Sequence, residues 1–234
     1  MKRIVPLFFI YEREYMIHYK GKFDGNTEQL PAGEYWTSDV PFDEPQDMKK
    51  LAAVLQKVMI VIIVLLCGFW AWWFHDLFEN MTDMYMTLAG AICSACILQL
   101  AVLLPHEYLH ALCFREDCWI YTNLKQGMCF VAGPEDMDKK RFIFMCLLPN
   151  IVFGFAPFII SLDIPVSLSA SFLMMFGIIN IGAGAGDYMN VYNAARQVPQ
   201  NGLIYMHHMQ SHWYRPDDRK LSESRLIHER QMPE

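Results

Sequence analysis

Hydrophobic residues in this chain are gathered into blocks instead of recurring at amphipathic intervals. Four stretches, Val58 to Phe74, Met84 to Pro105, Phe142 to Leu162 and Ile164 to Gly186, contain no Asp, Glu, Lys or Arg. As α-helices, each can span roughly 30 Å of hydrocarbon, the first being the shortest. Lys57 stands at one edge of the first block, where a long cationic side chain can reach the interface. Trp70, Trp72 and Trp73 stand at the other, where amphipathic rings are favoured. The pattern predicts an all-α polytopic membrane protein with four transmembrane helices, at about 58–74, 84–114, 142–162 and 164–197.

The polar segments frame these helices. Residues 1–50 are expected to form a cap at the membrane face, and 215–234 a polar, loosely ordered tail, around a membrane domain at 51–214. Strand-like composition from Phe8 to Phe23, followed by the turn-rich Gly21 to Asn26, predicts a small β-hairpin near the N-terminus. The apolar run Ile4 to Ile10 meets Glu12, Arg13 and Glu14 with no small-residue cleavage site after it, so it reads as part of the mature chain.

Charge orients the helices. Eight Lys and Arg residues lie in the segment up to Lys57, five lie between the second and third blocks, and six follow the fourth. The connectors His75 to Asp83 and around Asp163 carry none. Basic residues favour the cytoplasmic side, so both termini and the central loop are expected there, in a multi-pass plasma-membrane protein. A net charge of −6 gives no nucleic-acid signal. Of seven cysteines, Cys67, Cys93, Cys96 and Cys146 fall in apolar blocks and the other three face a reducing compartment on this topology, which excludes a disulfide framework.

The second block runs directly into His106-Glu107-Tyr108-Leu109-His110. Histidines four apart share one face of a helix and can grip one zinc ion, while the Glu between them can act on a water at the metal. By average residue usage, a chance HExxH in a chain this long arises on the order of once in a hundred. A catalytic zinc takes a third protein ligand and keeps a position open. Asp187 is the candidate, because it ends the fourth uncharged block at the depth where HEYLH ends the second. Gly182 and Gly186 allow close helix approach or local unwinding beside it.

Asn180 and Asn190, seven before and three after Asp187, lie near its helical face and could orient the carboxylate or hold a substrate strand. Asn150, beside Pro149 in the third block, is a further candidate for these roles. His207, His208 and His212 cluster beyond the turn Pro199 to Gly202, from where one could fold back as a ligand or face a substrate oxyanion.

Leu104-Pro-His-Glu-Tyr-Leu-His-Ala-Leu-Cys-Phe114, together with Ala185-Gly-Asp-Tyr-Met-Asn-Val-Tyr-Asn-Ala-Ala195 and Val198-Pro199, resembles the putative zincin peptidase family, small multi-pass membrane metalloproteases. The likeness runs from about Leu51 to Tyr214. More distantly the chain is similar to the site-2 protease clan, in which an Asp from another transmembrane helix completes HExxH. Gly186 and Tyr188 flank Asp187 where that clan usually has Leu and Gly. The resemblance implies Asp187 as third ligand.

The expected function is therefore zinc-dependent hydrolysis of peptide bonds at the cytoplasmic membrane face. Zn2+ would sit on His106, His110 and Asp187, Glu107 would be the general base, and the substrate would be a membrane protein or its juxtamembrane segment. The alternative is a catalytically silent zinc-binding membrane scaffold. Glu107 speaks against it, since closed structural sites use four Cys or His ligands and need no such carboxylate. Haem is disfavoured, because histidines on one helix face cannot clamp it from both sides.

Overall fold

Asp47 starts the first helix by accepting hydrogen bonds from the backbone N–H groups of Lys49 (2.8 Å) and Lys50 (3.3 Å). This helix, α1, runs from Met48 to Trp73. The computed structural model describes residues 16–34, 39–45, 47–123 and 128–218. Helix α2 (Met81–Ala111) follows, capped by Asn80. A continuous helical run from Lys139 to Asp163 then comprises α3 (Lys139–Pro149), one π-helical segment (Asn150–Phe155) and α4 (Ala156–Asp163). Helices α1, α2 and this run are long and apolar enough to cross a membrane. Helices α5 (Leu168–Ala183) and α6 (Ala185–Gln197) meet at a 50° bend and supply a fourth span if taken as one.

Helix α5 is central to the bundle. Its Ala170, Met174, Met175 and Ile178 pack with Trp70 of α1, with Phe74 just beyond that helix, and with Ala91 and Ala95 of α2. The alanines let α2 and α5 approach closely, which is how apolar helices gain packing without a hydrophobic driving force from lipid. The buried Trp70 indole donates to the Ser171 carbonyl at 3.1 Å, so its polar edge is satisfied.

Two small sheets correct the all-α expectation: the fold is mostly helical, with strands in the connectors. Strands β1 (Ile17–Lys22), β3 (Cys118–Asn123) and β4 (Met128–Ala132) form one sheet in the order β1-β3-β4. In the other, β2 (Val40–Pro41), β7 (Gln210–Tyr214), β6 (Leu203–His207) and β5 (Met137–Asp138) are joined in that order. The expected N-terminal hairpin is not what the described part of Phe8–Phe23 forms. Strand β1 instead pairs parallel with β3, Ile17 opposite Cys118, while residues 8–15 lie outside the described residues, as does the tail from 219. Composition correctly marked a strand there, but its partner is remote in sequence.

A second core joins both sheets to the helix ends on one side of the bundle. It includes Ala111 and Phe114 after α2, Ile120 and Val131 of the first sheet, Phe142 and Cys146 of α3, Ala194 of α6, Ile204 of the second sheet, and Phe42. Polar fasteners surround it. The Lys139 ammonium donates to the carbonyls of Ala195 (2.9 Å) and Val198 (2.7 Å), placing a cation on the otherwise open C-terminal carbonyls of α6. Buried Glu135 accepts from the N–H groups of Arg115 (2.6 Å) and Glu116 (3.2 Å), and pairs with the Arg141 guanidinium at 2.5 Å. The chain leaving HEYLH is thereby fixed to the start of α3.

Candidate metal centre

The two histidines of HEYLH sit in the last turns of α2, directly after Pro105. Proline has no N–H to give the carbonyl one turn back, so the helix lacks one backbone bond just where the two histidines begin. Four-residue spacing brings the imidazoles edge to face, with ring centroids 4.9 Å apart at 72°. His110 is oriented by its other nitrogen: Nδ1 lies 2.9 Å from the Met145 carbonyl. A carbonyl only accepts, so Nδ1 carries the proton and Nε2 keeps its lone pair.

Asp187 comes from α6, just past the break in the fourth helical pair. Its Oδ2 lies 3.4 Å from His106 Nε2 and its Oδ1 lies 3.4 Å from His110 Nε2. These are long for charge-assisted hydrogen bonds, which are about 2.7–2.9 Å. They are closer to the separation of donor atoms that share one ion, about 3.3 Å for atoms roughly 2.05 Å from zinc. One ligand atom from each of His106, His110 and Asp187 falls within 4.8 Å of the others. Two neutral-capable imidazoles and one carboxylate, with no fourth protein ligand grouped with them among the described residues, fit an open zinc site. Their side chains retain only 16%, 11% and 16% exposure for His106, His110 and Asp187, so the group is largely shielded by the protein.

Asn150 is the amide that reaches the acid. Fully buried at the start of the π-helical segment, it donates from Nδ2 to Asp187 Oδ2 at 2.7 Å and accepts at Oδ1 from the Tyr188 hydroxyl at 3.2 Å. The same Nδ2 is 3.2 Å from the Cys146 carbonyl. Gly184, at the bend, makes this possible, since a Cβ there would collide with the Asn150 carboxamide. Pro149 and the wide π turn shift the helix register at this point, as π segments often do beside functional groups.

The other amides are placed differently. Asn180 is buried and donates to the Phe176 carbonyl within its own helix at 2.9 Å, and no hydrogen bond joins Asn180 or Asn190 to Asp187 among the described residues. His207, His208 and His212 do not enter the metal group. They lie on the β6–β7 hairpin, with Nδ1 atoms near the carbonyls of Gly33 (3.3 Å), Thr27 (2.9 Å) and Gln210 (3.4 Å) respectively.

Sequence reasoning missed the strand beside the site. Glu107, between the ligands and buried, bears electrostatically on Cys129 of β4. Burial chiefly, and this carboxylate secondarily, push the Cys129 thiol above its ordinary range. Strand β4 pairs with β3 on one side and is the edge of its sheet among the described residues. The alternation Cys129, Val131 against Phe130, Ala132 was the available signal, but five residues are too few to weigh against four long helices.

A family model described as "Putative zincin peptidase" matches residues 99–203, a region that includes HEYLH, Asn150 and Asp187. No curated protein and no solved structure matches the chain.

Proposed function

We propose that the chain is a zinc-dependent membrane metallopeptidase that hydrolyses peptide bonds at the cytoplasmic membrane face. The observation that carries this reading is the 3.4 Å approach of both HEYLH imidazoles to Asp187 from a separate helix, with Glu107 between them. His106, His110 and Asp187 would hold the ion. Zinc bound there would polarise a substrate carbonyl and acidify a water.

The residues of the chain perform the remaining work. Glu107 takes the proton of the attacking water and returns it to the leaving amine, which is why a carboxylate is needed beside the ligands and not among them. Met145 fixes His110 through its Nδ1 proton, and Asn150 restrains Asp187, so the three ligand atoms stay convergent. Hydrolysis requires an extended backbone. Strand β4 packs against α2 and is the edge of its sheet among the described residues, an edge against which a substrate strand can lie. Basic residues placed as they are orient HEYLH and Asp187 to the cytosol, and substrates are membrane proteins or their juxtamembrane segments.

The test is purification in detergent of the wild type and Glu107→Gln, with metal analysis and incubation with membrane-peptide substrates. The expected result is one zinc per chain in both and a fall in rate of about 10²–10⁴ in the variant. Equal cleavage by both would remove Glu107 from the chemistry. Zinc retention with no cleavage by the wild type of any membrane or soluble peptide would leave the silent scaffold.

A further inference from the structure

The first turn of α6 is built around a side chain from another helix. Gly184, Asp187 and Tyr188 stand at positions i, i+3 and i+4, which share one face of a helix, and the Tyr188 N–H closes the turn on the Gly184 carbonyl at 3.0 Å. All three residues meet the Asn150 carboxamide. A Cβ at Gly184 would collide with it, so the amide is seated on bare backbone there. Its Nδ2 has two protons and two acceptors, Asp187 Oδ2 at 2.7 Å and the Cys146 carbonyl at 3.2 Å. Its Oδ1 accepts from the Tyr188 hydroxyl at 3.2 Å. Asn150 is 1% exposed, so these contacts are sheltered from bulk water. The Tyr188 ring lines a wholly apolar cleft with Ile62, Leu65 and Phe155, which offers the hydroxyl no competing partner.

We propose that Tyr188 is a positioning residue for the metal group, its hydroxyl acting through Asn150 on the Asp187 carboxylate. This rests on the reading of His106, His110 and Asp187 as zinc ligands and adds the group that holds their acid in place from one residue further away. A hydroxyl that donates to an amide oxygen draws electron density toward that oxygen and makes the amide N–H groups better donors, so bonds along the chain strengthen one another. The N–H that gains is the one on Asp187 Oδ2. Removal of the hydroxyl alone leaves Oδ1 buried without its donor, which favours rotation of the carboxamide away from the carboxylate it restrains. Asp187 Oδ2 is also the atom 3.4 Å from His106 Nε2, so freedom gained by the carboxylate is felt within the metal group itself. A role in packing would need the ring and not the hydroxyl.

The experiment compares the full-length wild type, Tyr188→Phe, Asn150→Ala and the double variant in detergent, with zinc as the ligand and a chelator as competitor. Phenylalanine keeps the ring in the apolar cleft and removes only the hydroxyl. Tyr188→Phe should weaken zinc binding about fivefold, short of the 10–100-fold expected for a residue that touches the ligand directly. Because the hydroxyl works through Asn150, the double variant should bind zinc no more weakly than Asn150→Ala alone. The visible absorption of the cobalt(II)-loaded protein, which reports ligand geometry, should shift in Tyr188→Phe. Full zinc affinity in Tyr188→Phe, an unshifted cobalt spectrum, or losses that add in the double variant overturn the proposal. So does a lower unfolding temperature of the metal-free variant with zinc affinity untouched, the mark of a purely structural hydroxyl. Since no cleavage enters these measurements, a wild type that binds zinc and hydrolyses no peptide sinks the peptidase reading and leaves the role of Tyr188 standing. Hydrolysis by the wild type with unaltered zinc affinity in Tyr188→Phe does the reverse.

Discussion

Two histidine groups in this molecule use the same side chain in opposite ways. His106 and His110 hang from one helix face and aim Nε2 atoms at a carboxylate from another helix. His207, His208 and His212 stand on a two-stranded hairpin, and their Nδ1 atoms meet backbone carbonyls, two of them in the segment from Thr27 to Gly33. The hairpin rings are neighbours too, His207 lying 4.3 Å from His208 and 5.8 Å from His212 between ring centroids. Their Nδ1 atoms face backbone carbonyls, however, and among the described residues no carboxylate from another element joins them as Asp187 joins the helical pair. The number of histidines in a stretch is thus a poor guide to metal binding. What their nitrogens face decides.

The comparison breaks most sharply at Asp187. Asp187→Ala should empty the zinc site, read by metal analysis, while His207→Ala, His208→Ala and His212→Ala each keep a full complement. Loss of zinc from any hairpin variant would erase the distinction. Next comes Asn150→Ala, which leaves all three ligands but frees the Asp187 carboxylate. Metal affinity should fall about 10–100-fold by competition with a chelator, whereas Asn180→Ala and Asn190→Ala should leave it unchanged.

Smaller effects should appear away from the metal. Lys139→Met removes the cation from the C-terminal carbonyls of α6 and should cost about 1 kcal/mol in detergent unfolding, with zinc binding intact. The hairpin should answer to pH. Burial, more than any other influence, lowers the His212 pKa below its ordinary value, so the folded state favours the neutral ring. As pH falls through the middle sixes, the unfolded chain takes up the proton first, and stability contributed by this residue is lost toward acid. The wild type should lose more thermal stability than His212→Phe between pH 7.5 and pH 5.5, values chosen to bracket about 6.5, the unperturbed histidine pKa. The smallest effect is chemical: burial, then Asp117 and Glu135, push the Cys118 thiol up to about 12, and alkylation at neutral pH should spare it.

The helices and the grouping of His106, His110 and Asp187 were legible because their signals are local. An uncharged block of more than twenty residues announces itself, and HEYLH needs only helical periodicity to be interpreted. Asp187 could be read because two separate uncharged blocks ended at one expected depth. Asn150 could be nominated as a polar residue beside Pro149, but choosing it over Asn180 required the π segment and the bend at Gly184, which no periodicity reveals. The sheets were illegible for another reason. Strands β1, β2 and β5 are short and take partners far along the chain, so no window of sequence contains both halves of a pair. Glu135 was hidden likewise, since its burial depends on Arg141 and on the two N–H groups that follow α2.

The parallel pairing of β1 with β3 sets a timetable for making the protein. Ile17 faces Cys118, so the first strand leaves the ribosome with no partner and waits while both α1 and α2 are synthesised. At about 5–20 residues per second, that delay is roughly 5–20 s. The N-terminal strand therefore joins its sheet only after the helix bearing HEYLH has been made, and Asp187 emerges later still. A nascent chain halted between these points would carry His106, Glu107 and His110 without Asp187, so the three-residue group closes only once the last helices have been made.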